Sequence, residues 1–239
     1  MHRNMEPLKV ATYNIRKCIG TDRRRDPERV LAVLREIDAD VVALQEADRR
    51  FGLRTSAIPH HSFLENSDYV PVDFGGRAHG IGWHGNAILV RRGIEVRHAQ
   101  PLIIPTLEPR GAVVAELRIK GSALRIVGAH LDLSGLWRRR QIRAILAHLD
   151  AAAQHMPTVI MGDFNQWSDR GALSEFAFHH HRLVKTPPSF HSRKPVARLD
   201  ISSSAMISRW MRRMRIIQRW RNWRRTICLY GRKYGMPKI

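Results

Sequence analysis

Polar side chains follow four strand-like apolar runs of this chain, at points where a buried core would not select them. They are Asn14, Glu46, His130 and the pair Asp163 and Asn165. Carboxylate and amide oxygens suit a hard divalent cation, which neutralises the charge on a phosphoryl group. A carboxylate also positions or deprotonates an attacking water, and amide and imidazole donors stabilise negative charge on phosphate oxygens. The set therefore predicts chemistry on a phosphoester.

Each of these residues has an ordinary structural explanation when it is taken alone. Asn14 suits a turn, Glu46 suits a helix cap, and Gly162 with Asp163 suits a tight turn. A lone His130 at a strand end is more often a hydrogen-bonded structural histidine than a catalyst. Taken together, however, these residues occur in an order and among neighbours that four unrelated structural explanations would not produce.

Local signals predict the elements that must position these side chains. Asp26, Pro27 and Glu28 mark a helix start, with a capping carboxylate, a proline in the first turn and an acid near the positive end of the helix dipole. A second helix is predicted at 137–154 from its apolar spacing. Strands are predicted at 9–13, 40–44, 86–90, 112–119, 124–129 and 157–161.

The balance of these elements favours an α+β fold. Strands outnumber helices and do not alternate with them in a regular βαβ rhythm, which indicates sheet packed on sheet with helices outside. The segment 51–84 is rich in loop-forming residues and is expected to shape a substrate cleft.

Seven segments of the chain follow one family order, which are 11–16, 44–48, 85–89, 110–113, 128–132 followed by 140–141, 162–165 and 198–200. On these segments the chain resembles the endonuclease/exonuclease/phosphatase superfamily, the group of deoxyribonuclease I and exonuclease III. The resemblance implies a four-layer α/β/β/α sandwich with the active site at one edge of the two sheets.

The resemblance also implies a metal ion and a water-activating group. Mg²⁺ or Mn²⁺ would be held chiefly by Glu46, with Asn14 beside it. Asp163 would align or deprotonate the attacking water. These assignments make the chain a divalent-metal-dependent phosphodiester hydrolase, acting on nucleic acid or on a phospholipid or other phosphoester.

Further roles follow from the same resemblance on the substrate side of the site. Asn165 would contact the phosphate, and His130 would donate to a non-bridging oxygen or to the leaving group. Asn86 and Arg110 would bind substrate. Asp200 would orient a second histidine.

That second histidine is where the chain departs from the family pattern. Family members end with a Ser-Asp-His-type segment some tens of residues later, yet no Asp follows Asp200 and no His follows His191. Loss of such an imidazole costs about 10²–10⁴ in rate. We therefore expect impaired turnover. The alternative is an inactive pseudoenzyme that binds phosphate ligands, membrane or nucleic acid through a basic tail.

Charge is unevenly distributed along the chain. The formal net charge is +20, and residues 201–239 contain 11 Lys plus Arg and no acid, which leaves residues 1–200 at +9. A basic surface suits a phosphate-bearing partner but does not choose between nucleic acid, phospholipid and soluble phosphate ester. A solvated basic surface without a partner is an equally good explanation.

The abrupt change after Asp200 suggests two parts, a domain at 1–204 that lacks its final strands and a basic tail at 205–239. We expect the tail to be helical or disordered, with an unpaired sheet edge left behind. Three explanations of the tail compete. It is a basic amphipathic helix that binds anionic membrane or nucleic acid, a helix that packs on the sandwich, or a segment translated after a shift of the reading frame in the coding DNA. Drawn as a helix, its apolar stripe is Ile207, Trp210, Met211, Met214 and Ile217.

Composition bears on the compartment and the assembly. No apolar run reaches the roughly 18 residues of a membrane span, the first nine residues show no signal core, and the two cysteines cannot form a disulfide framework. The resulting expectation for the compartment is the cytoplasm, and a monomer is expected beside it.

Overall fold

The computed structural model describes residues 8–49, 54–76, 80–166, 171–179, 181–184, 200–205, 214–219 and 226–228. Within these residues, two six-stranded sheets pack face to face and helices cover their outer faces. The predicted α+β sandwich is confirmed. The strands are β1 (Leu8–Asn14), β2 (Val41–Gln45), β3 (Tyr69–Pro71), β4 (Ala87–Arg91), β5 (Glu95–Leu102), β6 (Gly111–Ile119), β7 (Ser122–His130), β8 (Thr158–Asp163), β9 (His181–Val184), β10 (Asp200–Ala205), β11 (Met214–Arg219) and β12 (Thr226–Cys228).

Both sheets mix parallel and antiparallel pairs. The first sheet has the order β12-β11-β1-β2-β4-β3, and the second has the order β5-β6-β7-β8-β10-β9. In the first, β1 is parallel to β2. In the second, β7 is parallel to β8. Because parallel neighbours end at the same edge, the two central pairs deliver their last residues together.

Alternation along the strands builds the layers. In β2, Val41 and Ala43 face the second sheet, and Val42 and Leu44 face the outer helix. All are fully buried, because each face of the strand is covered. The same alternation in β7 and β8 divides the apolar residues of the second sheet between the central layer and the helices on its outer face.

The helices begin and end where local chemistry predicts. The Asp26 side chain accepts a hydrogen bond from the Arg29 amide at 3.0 Å, which confirms the predicted cap of the first helix. Asp38 ends that helix in the left-handed conformation, with a φ of 49°. The helices are α1 (Pro27–Ile37), α2 (His60–Asn66), α3 (Gly135–Asp150) and α4 (Ser174–Phe178).

The tail corrects one expectation from the sequence. Helical spacing puts Met214 and Ile217 on one stripe, but both lie in β11, which pairs in parallel with β1 from Leu8↔Met214 to Thr12↔Gln218. The helix expected for this part of the tail is therefore wrong, because residues 214–219 form a strand that pairs with β1. The adjacent isoleucines 216 and 217 are β-branched and favour a strand, and the helical interpretation took no account of this preference. The rest of the stripe, Ile207, Trp210 and Met211, lies outside the described residues.

Two further features of the fold have weak signals in the sequence and were not predicted. The segment 51–84 contains α2 and β3, and β5 runs between the predicted strands. The exposed first half of β5 carries charged residues that hide its strand character. None of the described helices combines the length and the apolar character that crossing a bilayer requires.

Candidate active site at the sheet edge

The ends of five strands meet at one edge of the sandwich. Asn14, the last residue of β1, pairs with Gln45 at the end of β2, directly before Glu46. In the other sheet, His130 ends β7 beside Asp163, which ends β8. At β10, the Asp200 backbone pairs with Asp163. The sandwich therefore gathers residues that are far apart in sequence.

Asn14 joins the two sheets through its side chain. Its Nδ2 donates to Asp163 Oδ2 at 2.9 Å and to Glu46 Oε1 at 3.3 Å. Its Oδ1 accepts from the Arg16 amide at 3.0 Å. All three members of this group are buried or half-buried. The structure thus brings Asn14, Glu46 and Asp163 together as predicted, in one hydrogen-bonded group.

Glu46 is held as a carboxylate by a neighbouring lysine. Burial by itself raises the pKa of the carboxyl, but the hydrogen bond and positive charge of Lys17 outweigh it, with smaller help from His130 and Asn14, and lower the pKa to about 2. The Lys17 Nζ lies 2.7 Å from Glu46 Oε2. The carboxylate is consequently charged at neutral pH and able to attract a cation.

Lys17 is a site residue that the sequence analysis missed. It follows β1 in a short turn, and its amide donates to the Glu46 carbonyl at 2.9 Å. Its position three residues after Asn14, directly after the family-like segment 11–16, was a signal that could have found it. A lysine in a turn is usually solvated, so the sequence alone favours the plainer interpretation.

His130 is held between Arg110 and Asp163. The Arg110 Nη1 lies 2.6 Å from His130 Nε2, and His130 Nε2 lies 3.9 Å from Asp163 Oδ2. A guanidinium has no acceptor, so Nε2 is the acceptor in this geometry. Arg110 also donates to the Leu131 carbonyl at 2.8 Å and pairs with Glu108 at 3.0 Å. It orients the imidazole in addition to any contact with substrate.

The amides near the site are fixed by the backbone. The Asn165 backbone N–H donates to Asp163 Oδ1 at 3.1 Å, and its Nδ2 donates to the Leu131 carbonyl at 2.8 Å. Asn86 is fully buried and donates to the Gly111 carbonyl at 3.1 Å, so in this structure it joins the sheets. Contact of Asn86 with substrate stays a prediction.

Part of the predicted set lies beyond what the structure describes. The backbone of Asp200 is placed beside Asp163, but its side chain is outside the described part, as is His191. Two described histidines that precede Asp200 are candidates to replace the missing one. His179 pairs with Asp150 at 2.7 Å, and His181 lies in β9. Neither is hydrogen-bonded to Asp163 or Glu46 in the described residues. The role predicted for Asp200 stays a prediction.

Backbone strain is concentrated at this edge. Lys17, Glu46 and Asn165 have φ values of 56°, 52° and 49°, in the left-handed region that residues with a Cβ seldom adopt. Each such residue costs of order 1 kcal/mol and persists only where its surroundings hold it. Their coincidence around one hydrogen-bonded group is typical of a functional site.

The donor set suits a hydrated hard cation better than a closed metal cage. Among the described residues, no group of three or more His, Cys, Asp or Glu side chains is arranged to hold a metal ion. Mg²⁺, however, is commonly bound by one or two carboxylates and retains several waters. The Glu46 carboxylate, with the Asn14 amide beside it and Asp163 linked through that amide, fits this description.

A deeper layer of contacts supports the site. Asp132, two residues after His130, is almost fully buried and accepts from Gln141 Nε2 at 3.0 Å. Gln141 in turn accepts from the Asp132 amide at 3.0 Å. This reciprocal pair ties α3 to the end of β7. It explains why the family-like segments 128–132 and 140–141 occur together.

Curated relatives share a substantial part of the sequence. The uncharacterized protein YbhP of Escherichia coli (strain K12) is 30% identical over 213 residues, which cover 81% of this chain and 83% of the relative. The protein of the same name from Shigella flexneri has the same identity and coverage.

Solved structures share the fold at lower identity. The Danio rerio TDP2 complexed with a single-strand DNA product is 16% identical, with a TM-score of 0.62 and 84% coverage of both chains. The human Nocturnin catalytic domain with bound sulfate is 18% identical, with a TM-score of 0.63 and the same coverage. A mannosyl-6-phosphatase of Bacteroides thetaiotaomicron VPI-5482 is 15% identical, with a TM-score of 0.63, over 82% of this chain and 84% of that one.

A family model covers most of the chain, including β11. It matches residues 11–226 and describes the Endonuclease/Exonuclease/phosphatase family. The match includes every strand end that meets at the candidate site. With the fold, the strand-end residues and this match in agreement, the chain belongs to the endonuclease/exonuclease/phosphatase family, whose activity is in general hydrolysis of phosphoesters.

Proposed function

We propose that this chain is a divalent-metal-dependent hydrolase of phosphodiesters that uses water as the nucleophile. The observation that carries the proposal is the Asn14 side chain, which donates to Asp163 at 2.9 Å and to Glu46 at 3.3 Å. It brings two carboxylates close together, of which Glu46 would bind a cation and Asp163 would activate water. A core has no need for two adjacent carboxylates, since each is costly to bury.

Glu46 and Asp163 have different surroundings, and these suit different roles. Glu46 would hold Mg²⁺ or Mn²⁺, with Asn14 beside it, and the bound cation would neutralise charge on the phosphoryl oxygens. Asp163 accepts from Asn14 and from the Asn165 amide, which aims its carboxylate at the sheet edge. From there it would orient and deprotonate the attacking water.

The remaining donors would act on the phosphate. Arg110 now donates to His130 Nε2 beside Asp163, and a phosphate oxygen entering there would take over this Arg110 donor and would accept a hydrogen bond from His130 in its protonated form. Charge-assisted donors of this kind are stronger than neutral ones. Asn165, whose Nδ2 donates to the same Leu131 carbonyl as Arg110, would complete the set.

Related proteins leave the substrate open at the level of the phosphoester. The solved TDP2 complex holds a single-strand DNA product, and another neighbour is a mannosyl-6-phosphatase. We propose a nucleic acid or a phospholipid as the substrate, which suits the basic charge of the chain. We also propose that the chain is a cytoplasmic monomer. The second candidate function is a pseudoenzyme that binds phosphate ligands, and it is favoured by the lack of any His after His191.

One assay separates an enzyme from a pseudoenzyme. The purified chain is incubated with Mg²⁺ or Mn²⁺ and bis-p-nitrophenyl phosphate, plasmid DNA or phospholipid vesicles, beside Glu46→Ala and an EDTA control. We expect slow, metal-dependent turnover that Glu46→Ala lowers by about 10²-fold or more. Turnover that Glu46→Ala and EDTA leave intact would contradict the proposed site. Absence of turnover with retained phosphate binding would favour the pseudoenzyme.

Lys17 should weaken cation binding, because its Nζ lies 2.7 Å from Glu46 Oε2 and competes for the same oxygen. We expect Lys17→Gln to tighten Mn²⁺ binding about ten-fold, since the like charge is removed. Titration calorimetry measures the Kd, and the Mn²⁺-dependent rise in Tm gives a second readout. Lys9→Gln is the matched control, because Lys9 pairs with Asp38 at 2.6 Å, outside the site. Weaker binding in Lys17→Gln would show that the amine supports the site.

A further inference from the structure

Exposed aliphatic side chains are concentrated beside the candidate active site. Ile103 is 89% exposed, Leu107 63%, Leu133 62% and Leu136 60%, and we call these four the apolar rim. Single exposed apolar residues are normal on a protein surface, but a group of large ones indicates a binding surface. The other large exposed aliphatics of the described residues, Val70 and Val96, are each only 39% exposed.

The apolar rim lies at the catalytic end of the second sheet. Ile103 and Leu107 belong to the segment 103–109 between β5 and β6, and β6 begins at Gly111, which pairs with His130. Leu133 and Leu136 follow the end of β7 in the segment that leads into α3.

Asp132 holds the two segments together. Its carboxylate accepts from the Leu107 amide at 3.0 Å and from the Glu108 amide at 3.4 Å. The rim is therefore a fixed part of the fold, adjacent to the Arg110–His130 pair.

The acids within the rim segments are neutralised or buried. Glu108 pairs with Arg110 at 3.0 Å. Asp132 is 1% exposed and its carboxylate is taken up by backbone amides and Gln141. The rim segments consequently present aliphatic side chains to solvent with little negative charge among them.

Positive charge lies immediately beside the rim on α3. The first turn of α3 contains no acid, and Arg139 and Arg140 in the next turn are exposed. The Arg140 guanidinium lies over the Trp137 ring at 5.1 Å. Arg139 and Arg143 share the single carboxylate of Glu175, so this face keeps an excess of positive charge. Aliphatic, Trp and Arg side chains in one place are typical of protein surfaces that rest at a membrane interface.

From this placement we infer that the apolar rim docks on an anionic phospholipid surface and that the substrate of the adjacent site is a phospholipid. The aliphatic side chains would enter the boundary between head groups and acyl chains, and the α3 arginines would bind lipid phosphates. A phosphodiester of a lipid head group lies at that depth, next to the Arg110–His130 pair. Nucleic acid offers no equivalent partner, because its backbone gives affinity through charge and exposed aliphatics add little there. The substrate part of this inference rests on the proposed function.

The test begins with metal-free protein, so that docking is measured without turnover. Wild-type chain is co-sedimented with vesicles of phosphatidylcholine alone or mixed with phosphatidylglycerol, and Trp fluorescence reports entry of an indole into the interface. We expect binding to the mixed vesicles that Leu107→Ser/Leu133→Ser weakens about ten-fold or more, since aliphatic area is lost from the contact. Ile103→Ser/Leu136→Ser is an independent second variant, in case the first does not fold.

Val70→Ser/Val96→Ser is the matched control, because it removes the same kind of exposed aliphatic side chain from strands away from the rim. We expect it to bind vesicles as the wild-type chain does. Equal loss of binding in control and rim variants overturns the inference, as does wild-type protein that binds neither type of vesicle. A rim effect on binding of single-stranded DNA, without one on vesicles, also overturns it in favour of nucleic acid.

Turnover separates the inference from the proposed function. With Mn²⁺ added, we expect the ratio of phospholipid turnover to bis-p-nitrophenyl phosphate turnover to fall about ten-fold or more in the rim variants. Turnover of the soluble diester without rim-dependent vesicle binding overturns the inference and leaves the proposed hydrolase standing. Rim-dependent vesicle binding without turnover of any substrate supports the docking surface and contradicts the hydrolase.

Discussion

Asp163→Asn is expected to lower kcat/KM for a phosphodiester about 10³-fold, or about 4 kcal/mol of transition-state stabilisation. The substitution keeps the shape of the side chain but removes the carboxylate that would deprotonate water. Oδ2 of Asp163 now accepts from Asn14 Nδ2 at 2.9 Å. If the new side chain put its NH₂ group at that position, two donors would face each other, so one of the two side-chain amides would have to rotate. The measurement is steady-state hydrolysis of bis-p-nitrophenyl phosphate with Mn²⁺.

The matched control for this loss is Asp68→Asn. The Asp68 side chain is 79% exposed and its ion pair with Arg91 spans 3.8 Å, so the same chemical change should leave kcat/KM within about two-fold of wild type. A fall in Asp163→Asn of less than about ten-fold, with an unchanged Tm, would remove Asp163 from the proposed role of base. Thermal unfolding of both variants shows whether the fold is retained.

Gly162→Ala is expected to lower the free energy of unfolding by about 3–5 kcal/mol, among the largest effects of a single added methyl group. A Cβ at Gly162 would lie 1.8 Å from the Ala129 carbonyl oxygen and 2.8 Å from its carbon. These are backbone atoms of the neighbouring strand β7, so the strands must separate. Because β7 carries His130 and β8 carries Asp163, the same movement would open the site.

Gly111→Ala tests whether crowding, and not the loss of a glycine, causes this effect. Gly111 begins β6 at the same sheet edge, but beyond its chain neighbours no atom lies within 4 Å of the position that a Cβ would take there. We expect its unfolding free energy to stay within about 1 kcal/mol of wild type. Urea unfolding followed by circular dichroism measures both variants. Equal stability of Gly162→Ala and Gly111→Ala would contradict the close packing of β7 and β8.

The elements nearest to strong local signals were predicted well. The Asp26 cap accepts from a backbone amide three residues away, so the sequence next to it is enough to predict where the helix begins. The strands β2, β4, β6, β7 and β8 were each predicted to within a few residues. By contrast, β5 was missed because half of it faces solvent, and β11 was drawn as a helix because its arginines hide the alternation.

The candidate site was predictable in its members but not in its contacts. Glu46, His130 and Asp163 were named from the sequence, and the sandwich brings them to one edge. Lys17 was not named, because only the fold places its Nζ 2.7 Å from Glu46. The apolar rim was also missed, since exposure of Leu107 and Leu133 depends on which neighbours the fold gives them.

The amino-acid sequence alone determined which donors the site would have, where the central strands lie along the chain, and the family to which the chain belongs. These properties depend on residue type and short-range spacing. Only the tertiary structure decided that Asn14 would meet Asp163 across 149 residues, and that the basic tail would add a strand beside β1. Such contacts form only when the two sheets pack on each other. The free energy of that packing comes from residues spread over the whole chain, so no short stretch of sequence reveals it.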